Sequence, residues 1–344
     1  MDTPATIKRV DRAHLFYLFL FALGFFLLLP QLIGFQRTHE LIQRADPRLL
    51  LLALAAETLR NIFSASSTVI LARLFQRRVP LVPMAEAFFA GGALNRTFST
   101  GGTPGIILRL LFLTRQGVAA GSVIVIMLIE NIGGFIIGVL IMALGIAALG
   151  GAATADGFAN RVAMIISAGM ILLIVGALLA FRHPTHVERG VLSLSKSIDH
   201  IARRVLGRSV LSLPQAKRAL DDFYAGARLA RQYPLYAGGS LVMNALRSAS
   251  GYAAMYFAFG ALGASVALPA LILFYTSGSF LTTFSAVPGE MILVGTGLAV
   301  FSLSFGIPAD LALVAILLSR AVTFWFPLPV GYLALWDLRR RKFL

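Results

Sequence analysis

Nine ionisable side chains interrupt apolar stretches of this 344-residue chain: Glu57, Arg60, Glu86, Arg96, Arg109, Glu130, Arg247, Glu290 and Arg320, with Asn95, Asn131 and Asn244 as polar companions. An ionisable group inside a membrane span costs about 2.5–3.5 kcal/mol even on insertion scales, so such groups face a protein interior or a water-filled cavity and mark function. Five arginines against four carboxylates can build a cavity that holds a phosphate through guanidinium forks. Glu57 and Arg60, at i and i+3, share a helix face and can pair. A structural ion pair that only fixes helix packing would explain those two equally well.

The elements that hold these residues follow from composition. Hydrophobic residues make up 58% of the chain, charged residues 13%, and 26 residues are Phe, more apolar surface than a soluble fold can bury. A spanning helix needs about 20 mainly apolar residues, and residues 14–35, 49–71, 118–143, 162–181, 235–260 and 311–336 qualify as six full spans. Lys8, Arg9 and Arg12 precede the first as they would a signal peptide. No small-residue cleavage site follows, so the run reads as a retained anchor. The absence of cysteine removes disulfides, thiolate metal ligands and a cysteine nucleophile together. A net charge of +15 would suggest nucleic acid in a soluble protein, but no zinc pattern or aromatic RNA-binding motif accompanies it. No nucleotide-binding motif and no cofactor signature is present. His183 and His186 have a metal-like spacing, yet Pro184 lies between them and no carboxylate cluster is near, which argues against a metal.

Basic residues gather at 8–12, 73–78, 182–231 and 339–342, which the positive-inside rule assigns to the cytoplasm together with both termini. Residues 150–160 and 261–268 carry no Lys or Arg and should face outward. Arg37, Arg44 and Arg48 depart from this scheme, in an outside loop beside Glu40 and Asp46. Two stretches then begin and end on one side: 80–117 inside and 269–306 outside. Each holds two apolar pieces too short to cross, separated by a break: Gly101, Gly102, Pro104 and Gly105 in the first, Pro288 and Gly289 in the second. Freed backbone at membrane depth is tolerated only where protein or a wet cavity satisfies it, so both read as re-entrant hairpins that gate a site. The alternative is two ordinary spans in each, a ten-span protein.

An internal repeat supports the hairpins. Leu59-Arg60-Asn61 and Leu246-Arg247-Ser248 both sit mid-helix, and the hairpin glycines Gly102 and Gly289 each follow their arginine by 42 residues. The expected fold is an all-α integral membrane protein, one domain over 1–344, with about six full spans plus two re-entrant hairpins. Residues 49–149 and 235–337 form an inverted repeat, the build of many secondary transporters. Between the halves, 182–233 carries ten Lys or Arg against four acids, with Val187, Val191, Leu194, Ile198, Ile201 and Val205 at helical spacing. Such basic amphipathic helices lie on an anionic leaflet.

The run 95–117 (NRTFSTGGTPGIILRLLFLTRQG), the following span with Glu130, and the C-terminal run from Ala286 to Leu335 resemble the transmembrane, flippase-like domain of bacterial lysyl-phosphatidylglycerol synthases and their stand-alone relatives. The resemblance implies an inner-membrane protein with re-entrant helices that handles a modified phospholipid or, in some members, a polyprenyl-phosphate sugar. Asn95, the Gly101-Gly102 break, Arg109, Glu130 and Arg320 match in place. The second hairpin departs: members read Pro-Gly-Gly-x-Gly-x-x-Glu, whereas here Glu290 follows Pro288-Gly289 directly and Gly295 stands where the acid is expected. With Leu344 as the last residue, no soluble aminoacyl-transfer domain is expected, nor synthesis of the lipid.

The resulting expectation is a lipid translocase with headgroup phosphate on Arg109, Arg247 or Arg320, and with Glu57 and Glu130 balancing charge or contacting an amine. Arg60, Asn95 and Glu290 would complete the binding set, and hairpin N-termini would add free N–H groups. The partner is a membrane phospholipid or polyprenyl-phosphate lipid, not nucleic acid, and a homo-oligomer is compatible with all of it. One rival is a membrane glycosyl or phosphoryl transferase, which would want an outer acid, Glu40 or Asp46. The other is a non-transporting membrane scaffold.

Overall fold

The computed structural model describes residues 45–98, 102–149, 158–182, 213–263, 266–284 and 318–344, with Gln43, Val314 and Ile316 as single positions. The predicted first span, the His183/His186 pair with the rest of 183–212, and Gly101, Pro288, Gly289 and Glu290 lie outside them. Among the described residues the elements are helical: α1 (Pro47–Leu74), α2 (Leu81–Phe98), α3 (Thr103–Arg115), α4 (Ala120–Leu149), α5 (Phe158–Arg182), α6 (Leu213–Gln232), α7 (Pro234–Gly260) and α8 (Leu268–Phe284). A π-helical turn at Ala321–Trp325 then leads into α9 (Pro327–Arg340). Among the described residues three segments are both long and apolar enough to cross a bilayer: Pro47–Leu74, Ala120–Ala148 and Leu318–Arg340. Shorter apolar helical stretches cover Ala163–Gly176 and Leu268–Phe280.

Long apolar side chains point outward from these helices: Leu51 and Leu59 on α1, Leu140 and Leu144 on α4, Ile165 and Leu172 on α5, Leu246 on α7. In water so much exposed apolar surface would drive aggregation; around a membrane domain it is the lipid-facing coat. Lipid gives helices no hydrophobic reason to associate, so they meet through small residues and polar contacts. The most extensive pairing, α1 with α7, follows that rule. Ala53, Ala56, Ser64, Ala65, Ser67 and Thr68 are buried on α1, and Ser240, Ser250, Gly251 and Ala254 on α7. The two helices run antiparallel, since Gly239 lies against Ile70 and Gly260 against Leu49. Asp46 fixes their common end, its N–H donating to the Ala261 carbonyl at 2.8 Å and its carboxylate capping α1 through the Arg48 N–H at 2.8 Å.

The opposite end is basic. Arg73 lies in the last turn of α1 and Arg77 and Arg78 follow it, Arg115 closes α3, and Arg339 to Lys342 close α9. Helices stop there in a shared way: the N–H groups of Arg77, Val118 and Phe343 reach back to the carbonyls of Ala72, Leu113 and Leu338. Gln76, Gly117 and Lys342 take the left-handed conformation such ends need. α2 leaves this end, where Glu86 pairs with Arg341, and α3 returns to it, Gly117 lying against the Arg77 guanidinium. Their 18 and 13 residues amount to about 27 and about 20 Å, short of the roughly 30 Å hydrocarbon core.

α9 packs closely on α2, and Gly331 is where they touch. A Cβ there would stand 2.6 Å from Ala93 Cβ and collide with the Phe89 carbonyl, which is backbone and cannot swing aside. Gly331→Ala should cost about 1–3 kcal/mol by overpacking, read as an earlier thermal transition in detergent. Gly238→Ala, with nothing within 4 Å of the added carbon, should leave the transition in place.

Among the described residues the two larger of three apolar cores lie at different levels along the helices. One, at the basic end, gathers Leu71, Met84, Phe112, Leu113, Val123, Ile126 and Leu338. The other gathers Met142, Ile166, Met170, Met255, Phe259 and the buried face of α8. Along α4 the first core ends near Ile129 and the second begins at Phe135, and the interval holds Glu130. Along α7 the interval runs from Ser240 to Ser250 and holds Asn244 and Arg247. The polar residues therefore form a layer between two apolar slabs.

Candidate functional site

The layer begins with a stripe on α1. Glu57, Asn61, Ser64 and Thr68 recur every three or four residues and face inward as one line. Glu57 is fully buried and takes a bidentate grip from Arg60, Nε donating to Oε2 at 2.7 Å and Nη2 to Oε1 at 2.6 Å. Arg96 of α2 approaches the same Oε1 at 3.9 Å while its Nη2 donates to the Thr323 carbonyl at 2.8 Å. That carbonyl belongs to the π turn and lies four residues before Pro327, which has no N–H to donate to it.

A second charged group lies toward the basic end. Arg109 of α3 pairs with Glu130 of α4, and Thr68 of α1 ties both together. The Thr68 hydroxyl donates to Glu130 Oε1 and accepts from Arg109 Nη2 at 3.0 Å. Arg109 also lies over the Phe88 ring at 4.3 Å, the aromatic face serving as a weak counter-charge. Its Nε is buried with no hydrogen-bond partner among the described residues.

Between these groups projects Arg247. Space for it is made by α4: a Cβ on Gly133 would stand 3.2 Å from Asn244 Nδ2, and one on Gly134 would stand 2.8 Å from Arg247 Nη2. Arg60, Arg109, Glu130 and Tyr275 all lie within electrostatic range of its guanidinium. Among the described residues no carboxylate pairs with it. Asn244 anchors the same face by donating to the Ser240 carbonyl at 3.0 Å, and Ser240 bonds Ser67 across to α1 at 2.8 Å.

The break between α2 and α3 is held by residues of both helices. Gly102 takes φ +82°, which favours glycine, and Pro104 opens α3. Gly105 meets Gly91 closely, a Cβ there falling 3.2 Å from Gly105 Cα, and glycine at both positions lets the helices touch. Asn95 Oδ1 accepts from the Gly105 N–H at 2.6 Å, capping α3 from α2. The Ile106 N–H bonds the Gly102 carbonyl, and Pro104 has none. One backbone donor expected to serve an anion at this helix start, the Gly105 N–H, is thus used in joining α2 to α3.

Of the residues singled out from sequence, Glu57, Arg60, Arg109, Glu130 and Arg247 come together, and Asn95 acts on the helical break beside them. Arg320 stands half-buried at the start of the π turn. Glu86 is drawn to the basic end by Arg341, and Asn131 is exposed, donating to the Met127 carbonyl at 2.8 Å. Sequence reading missed Thr68 and Tyr275 as members of the layer. Thr68 continues the Glu57–Asn61–Ser64 stripe, a signal available to periodicity. Tyr275 carries no such signal, since it sits in an apolar helix, and only the fold brings its ring onto Tyr252 and its hydroxyl against Gly251.

The family model described as the lysylphosphatidylglycerol synthase TM region matches residues 15–331. Comparison with curated proteins returns no match.

Proposed function

The chain belongs to the lysylphosphatidylglycerol synthase TM family, and on that premise we propose that it moves an anionic or modified phospholipid between the leaflets of a membrane. Membership and the apolar helices make it a multi-pass membrane protein. In the proposed arrangement about six spans and two re-entrant hairpins form an inverted repeat in a bacterial inner membrane, with the basic end and both termini cytoplasmic. Segment 182–233 rests on the anionic leaflet there. The antiparallel α1–α7 pair supports this, with its Leu-Arg pairs at 59–60 and 246–247 each sending leucine to the lipid and arginine to the layer.

The observation that carries the reading is Arg247: a guanidinium at mid-depth, flanked by two salt-bridged groups and itself without a carboxylate among the described residues. A cation kept there without a partner raises the cost of the fold, and a phosphate passing through would offset that cost by charge-assisted bonds. The transferase alternative is less well supported. Asp46, one of its two outer acids, is engaged as the N-cap of α1, and Glu40 lies outside the described residues.

Reconstitution into liposomes carrying labelled phospholipids, with an outside quencher to report exposure of the label, tests the proposal. The chain should accelerate exposure for at least one anionic lipid. Arg247→Gln, which removes a hydrogen bond to a charged group worth about 1.5–3 kcal/mol, should slow it about 10- to 100-fold. No acceleration for any lipid ends the translocase reading, and an unaltered rate in Arg247→Gln removes the role of this arginine.

A further inference from the structure

We infer that the layer is selective for a phosphate ester bearing no amine, and that Tyr275 with Arg247 forms its headgroup-binding pair; the inference rests on the lipid-handling reading above. The charges around Arg247 carry it. Among the described residues Arg60, Arg109 and Arg247 share the layer with Glu57 and Glu130, one more positive charge than negative. Both carboxylates are committed. Glu57 has each oxygen on Arg60, while Glu130 holds Arg109 on one oxygen and Thr68 on the other. An ammonium entering this layer would meet the guanidiniums of Arg60, Arg109 and Arg247 and would have to break a salt bridge to reach Glu57 or Glu130, which makes it unfavourable by like-charge repulsion. A phosphate meets the reverse situation, with donors on hand and no counter-charge to displace.

Tyr275 supplies the uncharged donor. Its ring stacks edge-on against Tyr252 at 4.8 Å, and its hydroxyl is carried to Gly251, one turn beyond Arg247 on α7. Among the described residues that hydroxyl has no hydrogen-bond partner, although Tyr252 beside it is bonded to Thr276 at 2.6 Å. Arg60 and Arg247 both lie within electrostatic range of Tyr275. A guanidinium fork and a neutral O–H converging from two helices suit the oxygens of a phosphate. Phospholipid and polyprenyl-phosphate headgroups share that chemistry.

Binding to the full chain in nanodiscs separates this from transport, since nothing has to cross. The probes are phosphatidylglycerol, a polyprenyl phosphate, lysyl-phosphatidylglycerol and phosphatidylcholine, each competing for a fluorescent phosphatidylglycerol. At least one of the first two should bind about tenfold or more tighter than both of the others, and the tighter of them names the source of the phosphate. Tyr275→Phe should weaken that lipid severalfold, Arg247→Gln should bring it to the level of phosphatidylcholine, and Arg247→Lys should recover part of the loss. Unchanged melting temperatures separate these effects from unfolding. Lysyl-phosphatidylglycerol binding as tightly as phosphatidylglycerol overturns the amine exclusion, and a Tyr275→Phe variant identical to the parent overturns the role of Tyr275. Displacement by inorganic phosphate at the lipid's own concentration overturns the lipid assignment. Selective binding without exposure of label in liposomes leaves this inference standing and ends only the translocation reading.

Discussion

Glu57→Leu should destabilise the chain by about 3–5 kcal/mol, the cost of removing one partner from a buried ion pair. The carboxylate is fully buried and holds Arg60 by two bonds, with Arg96 at 3.9 Å. Leucine fills a similar volume, so lost packing is small and the penalty lies in two guanidiniums left facing apolar surroundings. Arg60 is 25% exposed at its side chain, so solvent relieves part of that penalty, which favours the lower end of the range. Deleting both charges should be far milder than deleting one, because a buried pair replaced by apolar residues is often nearly neutral. Chemical unfolding in micelles of Glu57→Leu, Arg60→Leu and the double variant measures this. A double variant as unstable as Glu57→Leu alone would mean that Arg96, not Arg60, is the guanidinium that depends on the acid. A single variant within 1 kcal/mol of the parent would show that the pair is solvated.

That network was half legible in the sequence. Charges are so costly in apolar helices that their positions announce themselves, and i, i+3 spacing was sufficient to join Glu57 to Arg60. The antiparallel meeting of α1 and α7 was likewise within reach, since their Leu-Arg pairs and serines match. Partnerships across helices were not. Arg96 reaches the Thr323 carbonyl because Pro327, four residues on, has no N–H for it; the proline is visible in the sequence, but not which side chain from another helix takes the vacant place. The break at Gly102–Gly105 is legible from its glycines and proline, but its cap is not. Asn95 caps α3 from a neighbouring helix, a long-range choice invisible to local pattern, and so takes up one N–H, that of Gly105, which the anion reading assumed free. Glu86 shows the same limit: it looks like another intramembrane acid until Arg341 claims it at the basic end.

Glu130 gives the second large effect, and here stability and binding should move in opposite directions. Glu130→Gln removes the charge that holds Arg109 while keeping the shape, so about 3–5 kcal/mol of stability should be lost as for Glu57. Thr68→Val should cost about 1.5–3 kcal/mol, since its hydroxyl bonds a charged acceptor. In the double variant the two costs should fall well short of their sum, because Thr68 acts on the charge that Glu130→Gln has already removed. Freed from its acid, Arg109 becomes a further cation near Arg247, and an anionic lipid should bind Glu130→Gln more tightly than the parent. Tighter holding in one state slows passage, since a ligand moves through only if no intermediate binds it too well. Glu130→Gln should therefore raise affinity for the anionic lipid and lower its translocation rate, whereas Arg247→Gln lowers both. Equilibrium binding in nanodiscs and label exposure in liposomes, measured on the same two variants, resolve the signs. Parallel losses in both variants would show that Glu130 and Arg247 serve one structural purpose, and that the salt bridge to Arg109 does not compete with the lipid.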